Sequence, residues 1–296
     1  MQKTIIYNEY TKIRLDIYLT LLYNKYSRSY FQKLIKKQKI LLNGHYITSS
    51  YKLHYGDILT ITFDDQIINT LLPCAVQLDI IYEDRDLIII NKKPGIVVHP
   101  SYGHNTNTML NALAFYAKNT FSPYLVHRLD KDTSGVIIFA KNIRTQENII
   151  NQFKKRLISK LYYAAVNGII NENQGIIKAP LGRDPHNRKI ISVGPFAKKM
   201  SITIFQVIKR YNTFTLIKVK TCTGRTHQIR SHMKYIHHSI IGDKQYGGPQ
   251  VIGNTKYLRQ MLHAYKITFI HPSKQQVVQF TSSLPNDMKE LFASQI

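Results

Sequence analysis

The stretch that most constrains how this chain can fold runs from Val126 to Gly135: Val-His-Arg-Leu-Asp-Lys-Asp-Thr-Ser-Gly. Its charged residues, Arg128, Asp130, Lys131 and Asp132, lie between two apolar runs, Tyr124-Leu125-Val126 and Val136-Ile137-Ile138-Phe139-Ala140. Short apolar runs bounded by turn residues read as buried strands. The turn therefore joins two core strands, and Asp130 begins close to the interior, where a lone carboxylate is costly. A structural ion pair is the simplest account of such a turn. A calcium loop is a second: Asp130, Asp132 and Ser134 copy its opening, but the twelfth position, which should be a bidentate Glu, is Lys141. A helix N-cap is a third, and the β-rich run after Gly135 opposes it.

Charge narrows the class of partner. Against 17 Asp and Glu stand 41 Lys and Arg, a formal +24 over 296 residues. An imbalance of that size points to a polyanion, nucleic acid foremost, although a lysine-heavy solvated surface accounts for part of it. Apolar residues make up 44% of the chain, enough for a proper core. Two cysteines, Cys74 and Cys222, are too few for a disulfide framework or a zinc site. No apolar run approaches the roughly 18 residues of a membrane span, and the N-terminus lacks a signal-peptide core. The reading is a cytoplasmic protein with no membrane partner.

Along the chain, residues 1–13 read as an extension and 14–63 as a compact unit. Leu15, Ile17, Leu19 and Leu22 outline a short helix; Ser27-Arg28-Ser29 caps a second one with Tyr30, Phe31, Leu34 and Ile35 inward. Asn43-Gly44 marks a tight turn and Ile58–Phe63 a strand. Residues 64–77 read as a linker, and 78–296 as the main domain. There Leu87–Ile90 is a strand, Thr108 opens a helix through Tyr116, and a helix near Thr145–Phe153 precedes a strand at Ser159–Gly168. A meander spans Lys199–Lys209 and Tyr211–Cys222, and a helix near Pro285–Phe292 closes the chain. His99 with His104, and His227 with His232, lack metal-ligand spacing. No phosphate loop, dinucleotide fingerprint or nucleophile elbow occurs.

His127-Arg128-Leu129-Asp130-Lys131-Asp132-Thr133-Ser134-Gly135 resembles the signature of the ribosomal large-subunit pseudouridine synthases of the RluA/RluD type. Further segments follow that family's order: Lys92-Lys93-Pro94-Gly95, with its proline moved by one; Tyr162; Thr223-Gly224-Arg225-Thr226-His227-Gln228-Ile229-Arg230; and Gly242-Asp243. Gly182-Arg183-Asp184-Pro185 and Gly242-Asp243 lean toward the RluD type. Arg14-Leu15-Asp16, Ser27-Arg28-Ser29 and Asn43-Gly44 are similar to the small S-four RNA-binding domain.

The resemblance implies an α+β catalytic domain around a mixed, largely antiparallel sheet with a central cleft, and a small N-terminal α/β RNA-binding domain. It implies isomerisation of uridine to pseudouridine in large-subunit ribosomal RNA, by a monomer, without cofactor or metal. The base detaches and returns through a ring carbon, so one carboxylate can suffice where glycosidases use two. By resemblance that carboxylate is Asp130, Arg225 is the fixed cation beside it, and Tyr162 lies against the flipped base. Arg128 enters the vacated space or contacts phosphate. His127 falls on the RNA side too, though at a strand end it also reads as packed and hydrogen-bonded. Arg28, Lys33, Lys36 and Lys37 are the N-terminal RNA contacts. A non-catalytic RNA-binding or ribosome-assembly factor, or the same enzyme acting on transfer RNA or other ribosomal sites, are the competing readings.

Overall fold

The computed structural model describes residues 2–23, 26, 28–64, 72–100 and 106–293. They form two compact units, Met1–Thr70 and Leu71–Ile296. Ser27, His104 and residues 65–71, half of the expected linker, lie outside the described residues.

In the first unit the strands β1 (Gln2–Ile6), β2 (Ile40–Leu42), β3 (His45–Tyr46) and β4 (Ile58–Thr62) make a sheet in the order β1-β4-β2-β3. Residues 2–6, read from sequence as part of an extension, are thus the edge strand, paired antiparallel with β4. The helices α1 (Leu15–Leu22) and α2 (Arg28–Lys36) complete it. Tyr30, Phe31, Leu34 and Ile35 are buried, as their helical spacing predicts, with Leu15, Leu19, Leu59 and Ile61 in the same core. Asp16 is fully buried beneath α2, bonded by Arg14, Arg28 and Gln32. Burial pushes its pKa up, but the hydrogen bonds from Arg14, Gln32 and Arg28 win and bring it to about 2.

The second unit is built on an eleven-stranded mixed sheet. Its strands are β5 (Ile80–Glu83), β6 (Leu87–Lys92), β7 (Tyr124–Leu125), β8 (Ser134–Ala140), β9 (Ser159–Asn167), β10 (Gln174–Arg183), β11 (Ile191–Ser192), β12 (Lys199–Arg210) and β13 (Phe214–Thr221). After a small separate hairpin, β14 (Val251–Ile252) with β15 (Thr255–Lys256), come β16 (Leu262–Ile270) and β17 (Val277–Thr281). The spine runs β11-β10-β12-β13-β9-β16-β8-β6-β5, with β7 beside β8 and β17 beside β16. β8 and β16 run parallel, and the other neighbours are antiparallel.

β6 and β8 are apolar at nearly every position because both sheet faces are covered there. Ile88, Ile90, Ile137 and Phe139 face one core; Leu87, Ile89, Val136 and Ile138 face the other. On the first side lie α3 (Met109–Ala117), α5 (Gln228–Tyr235) and α6 (Asn286–Ala293), through Met109, Ile229 and Met288 among others. On the second lies α4 (Ile143–Lys154), through Ile149. Thr108 and Asn111 close a capping box on α3. The Asp130 loop leaves this two-sided core between β7 and β8, which pair antiparallel at Leu125 and Phe139.

Candidate active site

Leu129, only 6% exposed, pins the loop to the core just before Asp130. The Asp130 carbonyl accepts from the Thr133 amide at 3.2 Å, closing the turn. Lys92, with no exposed surface, reaches up from β6 and donates to the carbonyl of Lys131 at 2.8 Å, and to those of Lys93 and Ile96 at 3.0 Å. Arg259 donates to the carbonyl of Asp132 and grips Asp287 of α6 with two bonds. Gly135 sits at φ +113, where an added Cβ would stand 2.2 Å from the carbonyl oxygen of Ala264. Only glycine lets β8 approach β16 so closely there. The loop is therefore tied down at nearly every residue, which fixes where Asp130 projects.

The second half of the site comes from the start of α5. Gln228 is buried and staples this segment to β12: its amide donates to the Ile202 carbonyl and Thr203 hydroxyl, and its oxygen accepts from Thr223 and the Arg225 amide. His227 takes a left-handed φ of 52° at the helix N-cap. His227 and Arg230, three apart, then share one helix face. Arg230 Nη1 donates to Asp130 Oδ2 at 3.2 Å, across a separation of 100 residues in sequence. Its Nε and Nη2 hold Asp243 at 2.6 and 2.8 Å, and Nη2 also meets Gln245 Oε1 at 2.9 Å. The guanidinium lies 4.7 Å over the Tyr246 ring. Burial alone would lower the pKa of Arg230; Asp243, then Asp130, hold it above its ordinary value. It is a permanent cation with its donors aimed.

The structure thus corrects one sequence expectation. The cation paired with Asp130 is Arg230, not Arg225. Arg225 is exposed on the cleft wall and, among the described residues, has no carboxylate partner. Both arginines belong to one recognised segment, and what separates them is tertiary: Gln228 fastened to β12 and the left-handed His227 turn Arg230 inward.

Asp130, Arg128, His127, Tyr162 and Arg225 all line one cleft of about 790 Å³, with Lys154, Arg156, Lys160 and Lys220 adding positive charge to its wall. Tyr162, on β9, lines this cleft and is 7% exposed. Arg128 is exposed. His127 is held inward: its Nε2 accepts from the Ile138 amide at 3.0 Å and its ring packs on Phe153. Burial drives its pKa down to about 3, so at neutral pH it is an uncharged packing residue. A second hollow of about 580 Å³, beside α3, contains none of the sequence-predicted site residues. Arg28, Lys33, Lys36 and Lys37 belong to the first unit and are all exposed, Arg28 with one side committed to Asp16.

Sequence reasoning missed His227 as well as Arg230. His227 Nε2 stands 3.8 Å from Asp130 Oδ2, and its Nδ1 is 2.9 Å from the Tyr246 hydroxyl. Burial lowers its pKa against the pull of Asp130, leaving the ring neutral at pH 7. Asp243, recognised only as part of a Gly-Asp pair, is buried and caps the short turn Lys244–Tyr246. Chemically the cleft offers a positioned carboxylate, a locked guanidinium, an aromatic wall and a cationic rim.

Residues 86–235 match the family model described as RNA pseudouridylate synthase, and residues 13–59 match the S4 domain. The chain is 38% identical to an uncharacterised RNA pseudouridine synthase of Bacillus subtilis, over 94% of this chain and 92% of that one. It is 37% identical to the ribosomal large subunit pseudouridine synthase D of Buchnera aphidicola subsp. Acyrthosiphon pisum, over 94% and 93%. Among solved structures, human RNA pseudouridylate synthase domain containing 4 shares the fold, with a TM-score of 0.61, 22% identity, and coverage of 73% of this chain and 92% of that one.

Proposed function

This chain belongs to the RNA pseudouridylate synthase family, and on that premise we propose that it isomerises uridines of large-subunit ribosomal RNA with Asp130 as the group that acts at the sugar. The glycosidic carbon–nitrogen bond breaks, the uracil turns in place, and a carbon–carbon bond forms; the proton leaves that ring carbon and the released ring nitrogen gains one. Nothing is added or removed overall. The observation that carries the reading is the Asp130–Arg230 contact at 3.2 Å on the wall of a cleft large enough for a nucleobase.

A uridine reaches that carboxylate only outside its stack, so the base is flipped. Tyr162 meets its face, Arg128 fills the gap left behind, and the cationic wall from Lys154 to Arg225 tracks the backbone. The likeness to synthases named for the ribosomal large subunit supports the choice of RNA. The first unit, residues 14–63 at its core, supplies a second RNA contact through Arg28, Lys33, Lys36 and Lys37, and the S4 match supports this.

The test is direct. Asp130→Asn should cut pseudouridine formation on a large-subunit ribosomal RNA transcript by about 10³-fold or more, the scale on which single acid–base or nucleophilic groups act, with RNA affinity nearly unchanged. Pseudouridine-specific chemistry on the transcript reads the product. Appreciable turnover by the Asn variant removes Asp130 from this role.

A further inference from the structure

Between β10 and β11 the chain makes a basic loop, residues 184–190, that reaches the site through backbone groups. Asp184 stiffens it by accepting from the amides of His186 and Asn187 and from the Ser192 hydroxyl. His186, Arg188 and Lys189 are exposed, and among the described residues Arg188 and Lys189 have no carboxylate partner. Their side chains are open to an anion. The Lys189 carbonyl, by contrast, accepts from Gln245 Nε2 at 2.8 Å. The other end of that amide, Oε1, accepts from Arg230 Nη2 at 2.9 Å. One residue on, the Tyr246 hydroxyl lies 3.0 Å from both the amide and carbonyl of Ile191, and its ring underlies Arg230.

Asp243 anchors Arg230 through Nε and Nη2, and Gln245 Oε1 shares Nη2 with it. What Gln245 adds is a link. A carboxamide both donates and accepts in a single plane, and here it spans from the Asp130–Arg230 pair to the backbone of a cationic residue. We infer that Gln245 is a positioning residue that couples the 184–190 loop to Asp130: RNA phosphates seated on Arg188 and Lys189 settle the loop, and Gln245 converts that into alignment of Arg230 with the carboxylate. The inference rests on the reaction proposed above.

The experiment is a double-mutant cycle on the full-length protein with a large-subunit ribosomal RNA transcript. Gln245 is exposed, so its variants should fold, and a thermal melt of each verifies it. Gln245→Leu removes both ends of the link; Gln245→Glu keeps an acceptor for Arg230 and loses the donor to Lys189. Both should lower kcat by about tenfold, the rate equivalent of one hydrogen bond, with KM within about twofold. Arg188→Ala with Lys189→Ala should raise KM and lower kcat several-fold alone, yet lower kcat no further in the Gln245→Leu background. Losses in kcat that multiply, a Gln245→Leu protein at wild-type kcat, or a Gln245→Glu protein that keeps wild-type kcat each overturn the coupling. Absence of pseudouridine in every background, the wild type included, sinks the proposed reaction instead.

Discussion

Arg225 and Arg230 sit in one short segment but in different surroundings, one exposed and one buried among carboxylates. Arg230 is 6% exposed and makes four hydrogen bonds to carboxylate or amide oxygens. Lysine has no planar fork and cannot reproduce them. Arg230→Lys should therefore lower the single-turnover rate by about 10²-fold, comparable to losing one oriented charge-stabilising donor, while binding RNA almost normally. Arg225→Ala should do the reverse, leaving the rate of bound RNA intact and reducing the salt slope of binding by about one, as for a single phosphate contact. Rapid-quench rates and binding isotherms across a salt series separate the two. Lys92 poses a different problem. Three carbonyls take three donors, which only the ammonium supplies. Burial nonetheless pulls its pKa to about 7, against Asp132 and Asp130, from 10.5 in an open chain. Between those values the unfolded chain binds a proton that the folded one lacks. This group's contribution therefore makes stability rise with pH across that window and is least favourable below it. Lys92→Met should flatten that rise. It should also cost about 1–3 kcal/mol at pH 7 by stranding buried carbonyls. Urea melts at pH 7 and pH 9 on both proteins check both effects.

At the scale of elements, what the sequence reveals is what neighbours in sequence decide. Leu34 and Ile35 on α2, the Thr108 cap of α3 and the apolar run Val136–Ala140 of β8 follow from spacing, capping chemistry and two-sided burial, and all appear as read. The inward turn of Arg230 does not follow from its neighbours. It depends on Gln228 reaching β12 and on a left-handed His227, both set by tertiary contacts. The parallel seam of β8 and β16 is likewise invisible locally, because Ser134 and His263 meet across 129 positions. Residues 2–6 carry too little pattern to announce themselves as an edge strand; their pairing with β4 is what orders them. The seam makes its own prediction. Gly135→Ala would force a methyl to 2.2 Å from the Ala264 carbonyl at a φ that L-residues avoid. A loss of about 3 kcal/mol or more should appear in chemical denaturation, with activity falling at temperatures where the fold survives.

Over the whole molecule, charge is distributed with a purpose that salt can read. The formal +24 is shared between a larger unit that holds the Asp130 cleft and a smaller unit. Each has its own buried core, so exposed cations on one can be removed without unfolding the other. On α2 and just after it, Lys33, Lys36 and Lys37 stand outward, while the apolar side of the helix is locked into that unit's core. Lys37 is partly spent on Asp64, 3.4 Å away, an exposed pair of little energetic value. If all three meet phosphate, replacing them by Ala should reduce the slope of log affinity against log salt by about 2–3, since each neutralised phosphate contributes about 0.7–0.9. Affinity should fall steeply at low salt and converge on wild type as salt rises. The rate of the bound complex should not move, because the cleft that holds Asp130 is built from residues of the larger unit. An unchanged slope would mean that this face of the small unit does not touch RNA; a falling rate at saturating RNA would mean that it orients the substrate as well as holding it.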